Sequence, residues 1–242
     1  MQIINCENKH YKTVCEEIRE AKDKEISLIN CLGQRYIAAG ESNKHIYIDG
    51  VPGNALGAYL DGATIEVNAS VQDAVGDTMN DGKIIVNGSS GDATGYAMRG
   101  GKIYIKDDAG YRAGIHMKAY KEKFPVIVIG GKAGSFLGEY MAGGVIVVLN
   151  KNNNEFPVGN FTGVGMHGGT IIIRGSVDNI IFPPQVKCEP AQDKDLEVIR
   201  NYINEYAKLF CLDEDELMKD TFNVLTPNSQ NPYKKLYTAF SY

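Results

Sequence analysis

The segment Gly138-Glu-Tyr-Met-Ala-Gly-Gly-Val-Ile-Val-Val-Leu149 shows the unit from which most of this chain is built. It opens with a glycine, carries a large apolar residue three positions later, and passes through a glycine pair into a run of β-branched residues. Runs of β-branched residues favour β-strands, and glycines favour tight turns because they reach positive φ angles without strain. The segment therefore predicts a corner that is followed directly by a short strand.

The same unit recurs along the chain. Its first glycine, called the anchor glycine here, recurs every 19 residues, or after a longer interval where a loop is inserted: Gly57, Gly76, Gly95, Gly114, Gly138 and Gly163. A large apolar residue lies three positions after each one: Leu60, Met79, Met98, Met117, Met141 and Met166. The β-branched runs keep the same interval and begin at Ile46, Ile65, Ile84, Ile103, Ile127, Ile146 and Ile171. The repeat thus accounts for most of the 27 glycines.

A 19-residue unit is too short for a strand, a crossover helix and a return strand. It suits one coil of a β-solenoid, in which each short strand pairs with the same strand of the next coil at a spacing of about 4.8 Å. We predict an all-β fold, a right-handed single-stranded parallel β-helix of about seven coils. The leucine and methionine residues after the anchor glycines are predicted to stack inside it.

The pattern divides the chain into three parts. Residues 1–30 are predicted to form an N-terminal helix and cap, residues 31–182 the β-helix domain, and residues 183–242 a C-terminal helical cap with an extended tail. Within these parts, we expect a helix over residues 8–24 and a degenerate first coil over residues 25–45.

The C-terminal part departs from the repeat after Pro183-Pro184. Apolar residues recur at helical spacing between Asp193 and Phe210, which predicts a long helix. Asp213 precedes three acidic residues and is suited to cap a further short helix. From Thr221 the tail is expected to be extended and packed against the rest of the chain, with four aromatic residues after Pro232.

One glycine-rich segment, Gly163-Val-Gly-Met-His-Gly168, has the spacing of a dinucleotide-binding loop. That role requires a helix directly after the glycines, whereas a β-branched run follows here. A solenoid corner is therefore the favoured interpretation. His116 and His167 lie two and four residues after their anchor glycines, so they are not equivalent in the repeat. Ligand or base roles stay open for them, but structural histidines are commoner.

The five cysteines show no spacing typical of zinc or iron–sulfur sites. Cys188 and Cys211 could meet through the C-terminal cap, although simple burial is the favoured interpretation. Asp107-Asp108 and the acidic run from Asp213 to Glu216 indicate a turn and a helix start rather than an acid–base pair. We therefore assign no catalytic, cofactor-binding or metal-binding residue to this chain.

Two insertions interrupt the repeat, at residues 118–124 and 150–156. Loops at solenoid corners often carry binding functions. The first loop combines aromatic side chains with lysines, so we predict partner contact for Tyr120, Lys121, Lys123 and Phe124. The alternative is an idle surface loop.

Composition limits the classes of partner. The chain has 25 basic and 30 acidic residues and a net charge of −5, which argues against nucleic-acid binding. Its longest apolar runs, Pro125–Ile129 and Val145–Leu149, are far shorter than the roughly 20 residues of a membrane helix. An odd, scattered set of cysteines indicates reduced thiols and a cytoplasmic location. Because solenoid ends expose strand edges, a homo-oligomer is also expected.

The repeat resembles the GXGXG domain, the C-terminal β-helix of the glutamate synthase large subunit, in a free-standing form. Related repeats occur in a subunit of formylmethanofuran dehydrogenase. The resemblance covers roughly residues 30–178, and Gly138–Leu149 matches most closely. The segments Gly95–Gly101, Gly114–Met117 and Gly165–Gly169 follow the same pattern.

The resemblance implies a scaffold role, because in that family the β-helix links and orients the catalytic domains. The amidotransferase of the family uses an N-terminal cysteine, whereas Gln2 stands near the start of this chain and Cys6 is not terminal. The flavin-binding barrel and the clustered iron–sulfur cysteines are absent as well. The implied function is a non-catalytic subunit of a split glutamate synthase-like complex. Its implied partners are a glutamine amidotransferase and a synthase subunit that holds FMN and an iron–sulfur cluster.

Two alternatives remain open from the sequence. The first is an independent ligand-binding or enzymatic β-helix with a groove along one face. The second is a subunit of a molybdenum or tungsten enzyme like formylmethanofuran dehydrogenase.

Overall fold

The computed structural model describes residues 1–228, which contain eleven strands and three helices. Their bounds are β1 Gln2–Asn5, α1 Tyr11–Glu20, β2 Glu25–Leu32, β3 His45–Val51, β4 Asp61–Val67, β5 Asp81–Val86, β6 Gly101–Ile105, β7 Pro125–Ile129, β8 Ala142–Val148, β9 Gly168–Arg174, β10 Val186–Pro190, α2 Asp193–Leu209, α3 Glu214–Met218 and β11 Phe222–Pro227.

The strands form one sheet in which β1 to β9 follow each other in chain order, each parallel to the next. Equivalent residues of successive repeats are paired, as Ile46 with Ile65 and Ile65 with Ile84. A second column of parallel bridges joins the coils on another side, from Val71 through Ser90, Ala109 and Ala133 to Val158. The fold is therefore a β-solenoid of about seven turns from β2 to β9, which confirms the predicted class.

The interior consists of columns of identical repeat positions. The isoleucines that begin the β-branched runs are fully buried: Ile46, Ile65, Ile84, Ile103, Ile127, Ile146 and Ile171. The leucine and methionines that follow the anchor glycines are buried as well: Leu60, Met79, Met98, Met117, Met141 and Met166. Both columns belong to the same hydrophobic core, so the predicted internal ladder is confirmed.

The anchor glycines form one corner of the solenoid, called the anchor corner below. At Gly114 φ is +69°, and a Cβ would lie 2.4 Å from Cδ1 of Ile146 in a later coil. The position therefore needs glycine for both conformation and space.

Polar side chains join neighbouring coils beside this corner. Asp73 accepts from the Asp92 backbone N–H at 2.9 Å, and Asp92 accepts from the Tyr111 N–H at 2.8 Å.

The N-terminal end of the solenoid is covered by α1, whose Val14 and Ile18 are fully buried in the main core. The prediction of a helix over residues 8–24 was too long, because α1 is limited to Tyr11–Glu20. The His10 side chain accepts from the Lys12 N–H at its start, and the backbone leaves helical geometry at Ala21. The degenerate first coil is confirmed, since β2 pairs in parallel with β3.

The long helix α2 is confirmed and lies across the outer face of the sheet. Its Ile199, Ile203 and Tyr206 pack with the outward-facing Val128 and Val147 in a second hydrophobic cluster. Gly130 makes room for this helix, because a Cβ there would lie 1.8 Å from the Tyr206 hydroxyl oxygen. That hydroxyl donates to the Lys106 carbonyl at 2.8 Å.

A polar cluster anchors α2 near its C-terminal end. The Glu205 carboxylate accepts from Lys102 Nζ at 2.6 Å, from the Tyr104 hydroxyl at 2.6 Å and from Lys83 Nζ. Burial raises the pKa of Glu205, but the hydrogen bonds from Lys102, Lys83 and Tyr104 outweigh it and lower the pKa to about 2. The carboxylate is therefore ionised at neutral pH and ties the helix to strands β5 and β6.

The C-terminal part adds an antiparallel edge to the sheet. β11 pairs with β9 on one side and with β10 on the other. The predicted cap of α3 is confirmed, since the Asp213 side chain accepts from two backbone N–H groups of that helix. The extended tail is confirmed as strand β11 for Phe222–Pro227. The four aromatic residues predicted to pack after Pro232 lie outside the described residues.

Candidate functional site

The anchor corner carries an exposed cluster of aromatic and charged side chains, called the aromatic patch below. It consists of two columns of residues that run along the solenoid axis: Tyr96, His116 and Tyr140 in the first, and Arg112, Phe136 and Phe161 in the second.

The rings of the first column contact one another from coil to coil. The His116 and Tyr140 rings stack with centroids 5.2 Å apart and an interplanar angle of 10°. Tyr96 meets the other side of His116 edge-on at 5.9 Å. Beyond Tyr140 the repeat has Gly165, where a Cβ would lie 2.5 Å from the tyrosine ring. This glycine therefore leaves space for Tyr140 at the end of the column.

The second column begins with a cation and continues with two phenylalanines. The Arg112 guanidinium lies 4.8 Å from the centroid of the Phe136 ring, and Phe136 stacks on Phe161 at 5.1 Å. Arg112 Nε also donates to the Glu139 carboxylate at 3.3 Å. Since Arg112 is held by a ring and a carboxylate at once, its guanidinium is oriented in advance of any partner.

Backbone geometry explains why these side chains face outward. Residues two positions before and two after an anchor glycine have positive φ, among them Phe136 at 62° and Tyr140 at 52°. The residue between Phe136 and the glycine, Leu137, is fully buried. The corner therefore alternates inward and outward positions, and the members of the two columns occupy the outward ones, except for Tyr96, which lies one position after its anchor glycine Gly95. Such backbone is strained for residues other than glycine and is often found at functional sites.

A shallow depression of about 350 Å³ is lined by Tyr111 and Phe156. Both of these aromatic side chains are exposed to about half of their area, 53% each. Its floor consists largely of small residues, including Gly134 and Gly159, which bring the backbone close to the surface. The second insertion, at residues 150–156, thus contributes an aromatic wall through Phe156.

The chemistry of the aromatic patch suits protein recognition. Tyr96, Tyr140 and Phe161 are 40%, 39% and 54% exposed, although they are large apolar groups. Exposed clusters of tyrosine, phenylalanine and arginine are typical of the energetically dominant parts of protein interfaces. Within residues 1–228, histidine, cysteine, aspartate and glutamate form no group of three that could hold a metal ion.

The predicted partner loop is exposed but makes other contacts. Tyr120 is 51% exposed and lies under the Arg99 guanidinium at 6.0 Å from its ring centroid. Phe124 is exposed and Lys121 faces the Tyr120 ring, while Lys123 forms an ion pair with Asp61 at 2.8 Å. The role of this loop in partner contact stays a prediction.

The structure also places the other residues that the sequence analysis considered for a functional role. The segment Gly163–Gly168 leads directly into β9, so the solenoid corner is confirmed and the dinucleotide loop is not formed. Cys188 and Cys211 are both free thiols, but the favoured interpretation of burial was wrong for Cys211, which is exposed, while Cys188 is half-buried. The Asp108 carboxylate accepts a hydrogen bond from the Lys132 backbone N–H of the next coil at 2.9 Å, and Asp107 forms an ion pair with Lys151.

Sequence reasoning found His116 but missed the aromatic patch around it. A signal was available, because Phe136 and Phe161 both stand two positions before an anchor glycine in consecutive coils. Residues at the same repeat position lie next to each other in successive coils of a solenoid, so aromatic residues at an outward position are placed to stack. That inference requires knowing which corner positions face outward, and the positive φ angles that decide this are not evident from residue type.

The family model described as GXGXG motif matches residues 9–230, which is nearly the whole chain. The chain belongs to the GXGXG motif family. An uncharacterized protein of Methanocaldococcus jannaschii is 48% identical over 250 residues, covering 98% of this chain and 96% of that protein.

The fold also resembles a solved structure, the formyltransferase/hydrolase complex (FhcABCD) of Methylorubrum extorquens, crystallised in complex with methylofuran. One chain of that structure aligns with a TM-score of 0.61 and 19% identity, covering 92% of this chain and 89% of its own length. At this identity the likeness concerns the fold. None of the helices within residues 1–228 is both long and apolar enough to cross a membrane.

Proposed function

We propose that this chain is a non-catalytic subunit of a multi-subunit enzyme complex, and that its aromatic patch docks a catalytic subunit. The aromatic patch carries the proposal, because its rings and Arg112 are pre-positioned by stacking and yet exposed. Family membership supports a β-solenoid module, and the structural neighbour is one chain of the formyltransferase/hydrolase complex (FhcABCD).

More specifically, we propose a split glutamate synthase-like complex that forms glutamate from glutamine and 2-oxoglutarate. The proposed partners are a glutamine amidotransferase chain and a synthase chain that holds FMN and an iron–sulfur cluster, with no cofactor in this chain. The repeat carries this proposal through its resemblance to the glutamate synthase β-helix. We also propose a cytoplasmic location, since all five cysteines are free thiols.

A second candidate is a subunit of a complex related to formylmethanofuran metabolism, including a molybdenum or tungsten enzyme. The favouring observation is the shared fold with a chain of the formyltransferase/hydrolase complex.

Reconstitution distinguishes these functions. The purified chain would be mixed with the amidotransferase and synthase chains of its own organism, and separately with its formyltransferase/hydrolase chains. Light scattering after size-exclusion chromatography would report the mass of each assembly. We expect a stable complex with the first set and glutamine-dependent glutamate formation that depends on adding this chain. A complex with the second set alone would support the second candidate, and a free chain in both mixtures would refute the subunit role.

A further inference from the structure

One outward position of the anchor corner recurs from the first coil to the last. It lies two residues before the anchor glycine, and in the first coil, where Ala38 takes the place of the glycine, it is Tyr36. The backbone N–H of this residue donates to a carbonyl of the next coil, as from Tyr36 to Asn54 at 3.0 Å and from Phe136 to Asn160 at 2.8 Å. Its φ is nearly constant, between 57° and 62°. The equivalent residues therefore form one column along the solenoid, called the anchor column below: Tyr36, Ala55, Ala74, Ala93, Arg112, Phe136 and Phe161.

The anchor column has large side chains at its two ends and small ones between them. Arg112, Phe136 and Phe161 belong to the aromatic patch, and Tyr36 lies at the opposite end. The positions between Tyr36 and Arg112 are all alanine, and their short side chains leave a low strip: Ala55, Ala74 and Ala93. Four coil steps place Tyr36 about 19 Å from Arg112. A partner chain can therefore approach the solenoid backbone along this strip and meet large side chains at both ends.

Tyr36 is part of a second group of aromatic and cationic side chains, called the first-coil cluster below and consisting of Tyr11, Arg35 and Tyr36. The two tyrosine rings have centroids 5.8 Å apart, and the Arg35 guanidinium lies 5.2 Å from the centroid of the Tyr11 ring. The Cys15 thiol donates to the Tyr36 carbonyl at 3.3 Å, which ties α1 to this corner. Tyr36 is nevertheless 46% exposed. The first-coil cluster thus repeats the chemistry of the Arg112–Phe136 pair, with an arginine held over an aromatic ring.

The surroundings of the first-coil cluster are basic. A depression of about 220 Å³ lies between α1 and this corner, and Tyr11 and Tyr36 form part of its wall. Lys12 and Arg19 line it as well, and Glu16 is the acidic residue among the described residues that do so. Together with Arg35, three cations therefore stand against one carboxylate. Carboxylates on a partner chain would complement this charge.

The aromatic patch alone is too small for a stable interface. It extends from Tyr96 to Phe161, which is three coil steps or about 14 Å along the solenoid. A stable protein interface covers about 800 Å² on each partner, which is roughly 28 Å across. Phe161 lies in the last coil of the anchor column, so along this column the surface continues only over the alanines. From Phe161 to Tyr36 the column measures six coil steps, about 29 Å, which matches the required width.

We propose that the first-coil cluster is a second contact point for the catalytic subunit that docks on the aromatic patch, an inference that rests on the docking role proposed above. The subunit contacts both groups of side chains at once, and an acidic segment of it lies on the alanines between them. Carboxylates of this segment pair with Arg35 and with the cations of the neighbouring depression. Tyr36 packs against the same segment from one end of the strip, and Arg112 and Phe136 from the other.

The first experiment removes the first-coil cluster and leaves the aromatic patch intact. Titration calorimetry with the catalytic subunit that co-assembles compares the wild type with the variant Tyr36→Ser/Arg35→Gln. We expect the dissociation constant to rise on the order of 10- to 100-fold and to depend less on salt, because an aromatic contact and a cation are lost. The control Tyr47→Ser/Lys24→Gln removes the same two residue types from the outer face and start of the neighbouring strands and should bind as the wild type does. Wild-type affinity of Tyr36→Ser/Arg35→Gln would overturn the proposal.

The second experiment fills the low strip. Ala74→Tyr places a large side chain midway along it, and the backbone should accept this change because Ala74 and Tyr36 both have a φ of 58°. We expect the dissociation constant to rise at least about 10-fold, because the segment can no longer approach the solenoid. Asn68→Tyr, which adds an exposed tyrosine outside the anchor column, is the matched control and should have no effect.

The same titrations separate this inference from the docking role on which it rests. If the triple variant of the aromatic patch, Phe136→Ser/Tyr140→Ser/Phe161→Ser, binds weakly while Ala74→Tyr and Tyr36→Ser/Arg35→Gln bind as the wild type does, the second contact point is wrong and the docking role stands. If the triple variant also binds as the wild type does, both are wrong.

Discussion

Replacing Glu205 by glutamine tests whether the polar cluster holds α2 on the sheet. The carboxylate accepts hydrogen bonds from Lys102, Lys83 and Tyr104, which lower its pKa from 4.5 to about 2. That change corresponds to about 3 kcal/mol of differential stabilisation at 1.36 kcal/mol per pKa unit. The side chain is 24% exposed, so solvent screening reduces the expected value to about 2 kcal/mol.

The sign of the pH dependence follows from the lowered pKa. The stabilisation is complete above the ordinary pKa of 4.5 and is lost as the pH falls towards 2, because the carboxylate is then protonated in the folded state as well. Glu205→Gln should therefore unfold in less urea than the wild type at pH 7, with a melting temperature lower by roughly 4–8 °C. Near pH 2 the two proteins should have nearly equal stability.

The assay is urea unfolding of both proteins at pH 7 and pH 2, followed by circular dichroism. Glu197→Gln, an exposed glutamate on the same helix, is the matched control and should change stability by less than about 0.5 kcal/mol. Equal stability of wild type and Glu205→Gln at pH 7 would refute the reasoning. So would a difference that persists unchanged at pH 2.

Further substitutions test the glycines at which an added Cβ would contact a neighbouring residue. Gly130→Ala places a Cβ 1.8 Å from the Tyr206 hydroxyl and 2.2 Å from the Lys106 carbonyl oxygen, so it should displace α2 and cost roughly 2–4 kcal/mol in thermal unfolding. Gly114→Ala adds positive-φ strain to a contact of 2.4 Å with Ile146, and should cost at least about 2 kcal/mol. Gly40→Ala is the matched control for Gly114→Ala, because Gly40 has nearly the same φ, +70°, but a Cβ there meets no atom within 4 Å. Gly40→Ala should therefore cost less, and an equal loss at the two sites would contradict the steric argument.

The fold could be predicted from the sequence because the same pattern of corner and strand recurs in every coil. Each β-branched run predicts a strand weakly, but equal spacing requires that all of them pair in register. The end of α1 was less predictable, because Ala21 is a good helix former and the chain leaves the helix only to enter β2. Tertiary pairing of β2 with β3 overrides that propensity.

The aromatic patch and the Glu205 cluster were not predicted, for two different reasons. The patch depends on positive φ angles at residues such as Phe136, which residue preferences disfavour. The cluster joins Glu205 to Lys102 over 103 positions of sequence, and no local pattern indicates such a contact. The proposed scaffold role follows from the resemblance to the glutamate synthase β-helix. The aromatic patch that would serve this role is evident only from the stacked side chains in the structure.

The most direct test of the account measures the affinity of this chain for its catalytic partner with and without the aromatic patch. The variant Phe136→Ser/Tyr140→Ser/Phe161→Ser would be compared with Leu32→Ser, which removes an exposed apolar side chain on β2. Titration calorimetry with the partner that co-assembles should show the dissociation constant rising by about 100-fold or more for the triple variant, since central aromatic contacts dominate interfaces. Leu32→Ser should bind as the wild type does. An unchanged dissociation constant for a folded triple variant would contradict the docking role of the patch.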